Sequence, residues 1–283
     1  MSSSYQSGGA QLSYLDSGAG MPVVFLHPTP LDHEYWRPLL DELGRWAGAE
    51  GFRAIVPDLR GHGGSQLGGP LPVGEFERVP DAPVLTMHQL ATDVLALLDK
   101  LSLIDAVFVG CSIGGYILLE LWRHAPQRMQ GLAFVCSKPQ PDAEPALIKR
   151  AANIAIARES GVAALFDGMA KLLIGESSQR RRPEIVPECR ARMTLTPETF
   201  VAVQAGLAAR PDSIPTVAKI TEPVLAIAGG EDTAVAPADM EAFRAAPLCE
   251  LHLIPDAGHF AACEQPEKVA DLLGPWLRQF SLA

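Results

Sequence analysis

Short apolar runs recur along the 283-residue chain, separated by stretches of helical spacing or by turn residues. Residues 22–26 (PVVFL), 52–56 (FRAIV), 106–109 (AVFV), 132–135 (LAFV) and 224–228 (VLAIA) are each four or five residues long and rich in β-branched or aromatic side chains. Runs of that length and composition predict strands buried on both faces. Residues 251–254 (LHLI) make a weaker member. A first, antiparallel strand is expected over 11–15, ahead of the turn DSGAG.

Helical patterns fill the gaps. They cover 33–46 (HEYWRPLLDELGRW), 86–101 (TMHQLATDVLALLDKL), 114–126 (GGYILLELWRHAP) and 266–280 (PEKVADLLGPWLRQF). In the second, Leu90, Val94, Leu97, Leu98 and Leu101 share one face, and Thr86 is placed to cap it. Alternating strands and helices predict an α/β fold, a mainly parallel sheet with helices on both faces. One region breaks the alternation. Residues 138–219 hold several helical stretches and no convincing strand, so they read as a helical insertion into a core of residues 1–137 and 220–283. Residues 66–83, rich in Gly and Pro, read as a surface excursion.

Composition narrows the partners. The chain is 48% hydrophobic and 20% charged, with net charge −10. An acidic protein lacks the basic face that nucleic acid requires. The N-terminus MSSSYQSGGA has neither the basic nor the apolar region of a secretory signal. No apolar run reaches a membrane span. Five scattered cysteines with no C-x-x-C pair argue against a metal or disulfide framework and for a reducing cytoplasm.

The chemistry concentrates at FVGCSIGGYILLEL, residues 108–121. The strand ends at Gly110, and a helix begins just past Ser112. A sharp turn there exposes the Ser112 side chain at the carboxyl edge of the sheet. Gly110 and Gly114 stand where a side chain would strike neighbouring backbone, completing G-x-S-x-G. A serine nucleophile needs a base. Among the seven histidines, His259 follows the last strand, at the same sheet edge. His252 lies within that strand, and His88 and His124 lie on helix surfaces. The base needs a carboxylate to fix its tautomer. Asp232 follows the strand end at VLAIAGGED; Glu231 beside it and Asp142 are its competitors. The order Ser112, Asp232, His259 is that of a serine nucleophile on a parallel α/β sheet. Cys111 should point into the core as a packing residue.

Four stretches, FLHPTPLDHEYW, PDLRGHGGS, VGCSIGG and the pair GGEDTAVAP with DAGHF, make the chain resemble the α/β-hydrolase superfamily over nearly its whole length. Within it, the chain is most similar to small capped carboxylesterases and 3-oxoadipate enol-lactonase-like enzymes. The resemblance implies a helical cap at residues 138–219 and hydrolysis of an ester or lactone through an acyl-serine, with no cofactor and no metal. It also implies an oxyanion hole of two backbone N–H groups, from Thr29 and Ile113. The chain departs from the usual His-Gly-x-Pro in reading His27-Pro28-Thr29-Pro30, and the resemblance implies a cis Thr29–Pro30 bond. The stretch DLRGHGGS should supply a tight turn and a helix entry, with His62 structural.

Ser112 argues against the aspartate-nucleophile dehalogenases and epoxide hydrolases of this superfamily. A cofactor-free perhydrolase, a C–C hydrolase or lyase keeps the same three residues. A non-catalytic binding module is the remaining alternative. Trp36, Phe76, Phe166 and Phe260 are candidate pocket walls, though such aromatics more often pack in the core. The insertion carries twelve Lys and Arg against nine Asp and Glu, a net +3 that leaves −13 on the rest. Such charges usually line solvated helix faces. Facing a cleft, they would favour a substrate bearing a carboxylate.

Overall fold

A computed structural model describes residues 2–44, 51–74 and 78–281. Arg45 and Trp46, at the end of the first predicted helix, and Phe76 lie outside the described residues. The predicted runs form β3 (Met21–Leu26), β4 (Phe52–Pro57), β5 (Ala106–Cys111), β6 (Met129–Val135), β7 (Val224–Gly229) and β8 (Cys249–Ile254). All six pair parallel with one another. The antiparallel strand expected before DSGAG is β2 (Ala10–Ser17), which pairs with β4 on one side. Its other partner, β1 (Ser3–Ser7), is not legible in the sequence. That strand has one apolar residue, Tyr5, and is held by a two-residue hairpin through Gly8 and Gly9 at φ 48° and 74°. Positive φ at both positions suits glycine and matches the twist of the strands.

The sheet order is β1-β2-β4-β3-β5-β6-β7-β8. After β3 the chain steps outward to β4, then returns past β3 to β5 and continues the other way. The reversal opens a crevice beyond the carboxyl ends of β3 and β5, where ligands bind in open α/β sheets. The period-2 alternation divides the core in two. Val23, Phe25, Val107, Val109, Ala133 and Val135 face one side with Leu273 and Trp276. Val24, Leu26, Phe108, Leu132 and Phe134 face the other with Leu97, Ile117 and Phe243.

The helices flanking the sheet start with α1 (Arg37–Leu43), α2 (Met87–Lys100) and α3 (Ile113–His124). Thr86 caps α2 as expected, its hydroxyl accepting from the Gln89 N–H at 3.0 Å. Between β6 and β7 run α4 (Glu144–Ser160), α5 (Ala163–Leu173), α6 (Glu176–Arg181), α7 (Ile185–Ala191), α8 (Pro197–Ala208) and the single turn α9 (Ile214–Val217). The polar α6 (ESSQRR) has no apolar period and is not foreseen. Helix α8 is buried along almost its whole length. It presses backbone to backbone on the segment before α2: the Leu85 N–H donates to Ala202 O at 3.0 Å, and a Cβ on Gly206 would stand 1.9 Å from Leu85 O. The chain closes through α10 (Pro237–Met240), α11 (Ala261–Glu264) and α12 (Pro266–Ser281). Among the described residues, no helix is long and apolar enough to cross a membrane.

Candidate active site

Ser112 occupies the junction of β5 and α3 with φ 52° and ψ −116°. A non-glycine residue at positive φ is strained and persists only where its surroundings hold it. Here the Ser112 N–H donates to Val135 O at 3.1 Å, and its carbonyl accepts from Ser137 Oγ at 2.9 Å. The flanking glycines are required by space. A Cβ on Gly110 would lie 2.5 Å from Gly114 C, and one on Gly114 would lie 2.3 Å from Leu26 O. So β5, α3 and the end of β3 meet at van der Waals limits around this turn.

Asp232 and His259 meet directly: His259 Nδ1 lies 2.8 Å from Asp232 Oδ2, both side chains almost wholly buried. The loop after β7 aims the carboxylate. Oδ1 accepts from the Ala234 and Val235 N–H groups at 2.7 and 2.9 Å, which turns Oδ2 toward the ring. A carboxylate at Nδ1 fixes the tautomer with Nδ1–H donating and a lone pair on Nε2. The Cys111 thiol donates to His259 O at 3.7 Å, so the histidine backbone lies against the residue next to Ser112. The competing acids point elsewhere. Glu231 accepts from Ser177 N and Oγ at 2.8 and 2.5 Å, and Asp142 is paired with Arg150 and Arg210. His252 lies on the edge strand β8, 3.6 Å from Glu250. Cys111 is fully buried, and burial pushes its thiol up from its ordinary range, as a packing residue requires.

The insertion reaches both loops through the turn between α5 and α6. The His259 N–H donates to Leu173 O at 2.8 Å, and Thr233 Oγ1 donates to Leu172 O at 2.8 Å. Glu264, 5% exposed, ties this together. Its carboxylate accepts from the N–H groups of Gly175, Gly258 and Phe260 at 2.9, 2.9 and 3.0 Å. Burial pushes its carboxyl up, against the opposing pull of those N–H groups. Gly258 and Gly175 cross so closely that a Cβ on the first would stand 2.3 Å from the second's nitrogen. Sequence reasoning missed Glu264; the one signal was an acid in the otherwise apolar stretch FAACE.

On the opposite flank, His27 is fully buried, its Nδ1 3.0 Å from Pro28 O and its Nε2 accepting from the Leu59 N–H at 2.9 Å. His62, also fully buried, sets Nδ1 3.0 Å from Arg60 O and Nε2 2.9 Å from Thr29 Oγ1. Carbonyls only accept, so each ring carries its proton on Nδ1, and the Thr29 hydroxyl donates to His62. Burial lowers His27 to about 4 and His62 to about 3. The Thr29–Pro30 bond is cis, as the resemblance implied. Ile113 is the first residue of α3, where a helix N–H has no partner within the helix. The stretch DLRGHGGS does make tight turns, but it enters no helix. Arg60 instead forms a buried bidentate pair with Asp93 of α2, at 2.8 and 2.6 Å.

Trp36, Phe166 and Phe260 are all core residues, each 1% exposed or less. The arginines of the insertion are committed to partners. Arg150 and Arg210 bracket Asp142, Arg181 pairs with Asp256, and Arg190 pairs with Asp167. Arg192 faces Asp32 and Glu34, and Arg180 and Arg182 face Glu176 and Glu188. The net positive charge of the insertion therefore gives no set of free arginines for an anionic substrate.

Residues 23–272 match the Alpha/beta hydrolase family. The chain belongs to that family. It stands with esterases and enol-lactonases within it. A thermophilic esterase from Thermogutta terrifontis, solved with malate bound, superposes with TM-score 0.86 at 32% identity, covering 99% of this chain and 98% of the esterase. The 3-oxoadipate enol-lactonase 1 of Acinetobacter baylyi is 25% identical over 90% of this chain and 88% of its own length. A putative non-heme bromoperoxidase, BpoC of Mycobacterium tuberculosis, is 27% identical over 91% of this chain and 94% of its own. The protein is a hydrolase of this fold.

Proposed function

We propose that this protein is a serine hydrolase that cleaves a carboxylic ester or lactone through an acyl-serine intermediate. The observation that carries the reading is the buried 2.8 Å contact between His259 Nδ1 and Asp232 Oδ2 at the sheet edge where Ser112 sits at positive φ. The Ser112 oxygen adds to the substrate carbonyl carbon, and its proton passes to Nε2 of His259. Asp232 holds the resulting imidazolium through Nδ1–H. The N–H groups of Thr29 and Ile113 stabilise the negative oxygen. Collapse breaks the carbon–oxygen bond, and the alcohol leaves with the proton from His259. Water then adds by the same route and frees the acid. With a lactone, acid and alcohol leave as one hydroxy acid.

A fluorophosphonate adduct mapped by mass spectrometry tests this. The expected label is on Ser112, with a stoichiometric burst of p-nitrophenol from p-nitrophenyl acetate that Ser112→Ala abolishes. Labelling of Cys111, or turnover that survives Ser112→Ala, would overturn it; ester binding without a burst would mark a binding module. The likeness to the mycobacterial bromoperoxidase supports a second reading on the same residues. Hydrogen peroxide in place of water as acyl acceptor would release a peracid. Five free cysteines fit a reducing, cytoplasmic setting.

A further inference from the structure

Away from the sheet edge, three side chains converge between α2 and α3. His88 comes from the first turn of α2, and Glu120 and His124 stand one turn apart near the end of α3. His88 Nδ1 lies 3.2 Å from His124 Nε2. His124 Nε2 lies 2.9 Å from Glu120 Oε1, and His88 Nδ1 lies 3.5 Å from the same oxygen.

That triangle is difficult to explain by protons. If His124 Nε2 carries hydrogen, a straight bond to Glu120 leaves the His88 nitrogen to solvent, outside the triangle. If His88 Nδ1 donates instead, the His124 lone pair faces the carboxylate lone pairs at 2.9 Å. With a proton on both nitrogens, both N–H groups converge on Glu120 Oε1 at 2.9 and 3.5 Å, and the 3.2 Å contact between the two nitrogens carries no hydrogen bond. No single proton gives each contact a straight hydrogen bond. One cation between the three atoms satisfies all of them. Nitrogen and oxygen donors at about 2.0–2.1 Å from a tetrahedral zinc ion stand about 3.3 Å apart, and the three observed separations scatter around that value.

The carboxylate is already aimed. Glu120 is 8% exposed, and its other oxygen is held by Arg123, whose Nε donates to Thr216 Oγ1 at 3.0 Å. Oε1 is left to the imidazoles, the outer-shell arrangement that orients a metal ligand. Both imidazoles are exposed, with side-chain exposures of 62% and 45%, so the fourth tetrahedral position faces solvent. A cleft of about 120 Å³ lined by Thr86, His88, Glu120 and Arg210 adjoins it.

We propose that His88, Glu120 and His124 form a three-ligand site for a divalent transition-metal ion, with zinc the best fit and the fourth position open to water. Two imidazoles and one carboxylate select such an ion over magnesium or calcium. Glu120 is eight residues along α3 from Ser112, about 12 Å at 1.5 Å per residue. The ion therefore staples α2 to α3 away from the acyl chemistry.

Titration of the full-length protein with zinc chloride, followed by calorimetry and by thermal melting, tests the site. The expected result is one ion per chain and a rise in Tm with zinc. His88→Ala and His124→Ala should each weaken binding at least about 10-fold and remove the rise, while unliganded melting and esterase activity stay unchanged. Cobalt substitution should give visible bands of a tetrahedral nitrogen and oxygen site without a thiolate charge-transfer band. Absence of stoichiometric binding, or binding equal in both variants, would overturn the proposal. A thiolate band would do the same, by placing the ion on cysteine.

Discussion

The two flanks of the sheet edge use the same residue type in opposite ways. On the β3–β4 flank, His27 and His62 spend their ring nitrogens on Pro28 O, the Leu59 N–H, Arg60 O and Thr29 Oγ1. They are neutral spacers that shape the turn carrying Thr29. On the β7–β8 flank, His259 has one nitrogen on a carboxylate, which leaves Nε2 as the ring's basic site. The first flank is closed by its own loops; the second is held by backbone groups of the α5–α6 turn. What sets the histidines at this edge apart is therefore what their ring nitrogens meet, not burial, since all three are buried.

The largest expected effect separates the two flanks by chemistry. Asp232→Asn should keep the fold and lower kcat about 10⁴-fold, as loss of the tautomer-fixing carboxylate does in serine triads. Glu231→Gln and Asp142→Asn should leave the pH–rate profile in place; a larger loss in either would move the acid role.

The next effect comes from the neutral pair. Folded, His27 and His62 stay unprotonated down to about 4 and about 3, held there by burial. In the unfolded chain each takes up a proton near pH 6.5. Between those values the unfolded state binds more protons, so stability falls as pH drops. For His27 alone the loss is about 3 kcal/mol by pH 4. His33 works in the opposite sense: its hydrogen bond to the Asp58 carboxylate raises it, so its contribution is complete below 6.5 and fades as pH rises through its raised value. Urea unfolding at pH 7, 5.5 and 4.5 measures the slope. It should flatten in His27→Asn and His62→Asn, and an unchanged slope would assign acid sensitivity to other groups.

A smaller effect probes the second flank. Glu264→Gln replaces one accepting oxygen with a donor against three backbone N–H groups, and should cost about 1.5–3 kcal/mol. Because Glu264 positions the His259 loop, kcat should fall with KM nearly constant. A Tm shift with no change in kcat would make it a plain structural residue.

The parallel strands and the Ser112 turn were legible because each rests on local pattern: an apolar run, or glycines at fixed offsets. Asp232 was legible because it directly follows a strand end. Three things were not. Strand β1 has one apolar residue and depends on pairing with β2. The roles of Arg60 and Asp93 are set by a contact between residues 33 positions apart. The Glu264 clamp joins the α5–α6 turn to the loop after β8 by hydrogen bonds that leave no periodicity. The charge excess of the insertion was legible as a number, but not which of its arginines meet carboxylates in three dimensions, as Arg150, Arg181 and Arg190 do.

The crossing of Gly175 over Gly258 also limits how this enzyme can be recombined. Helices α4 and α8 can be exchanged for those of another family member without touching the loops after β7 and β8, whereas α7 meets the second of these through the Cys189 and Cys263 thiols. The stretch from Leu172 to Ser177 cannot, because Glu231, Thr233, His259 and Glu264 all bond to it. A chimaera with splice points that leave this turn with its native β7 and β8 loops inherits the Asp232–His259 contact intact. One that imports the turn with foreign helices must import residues 231–233 and 256–264 as well.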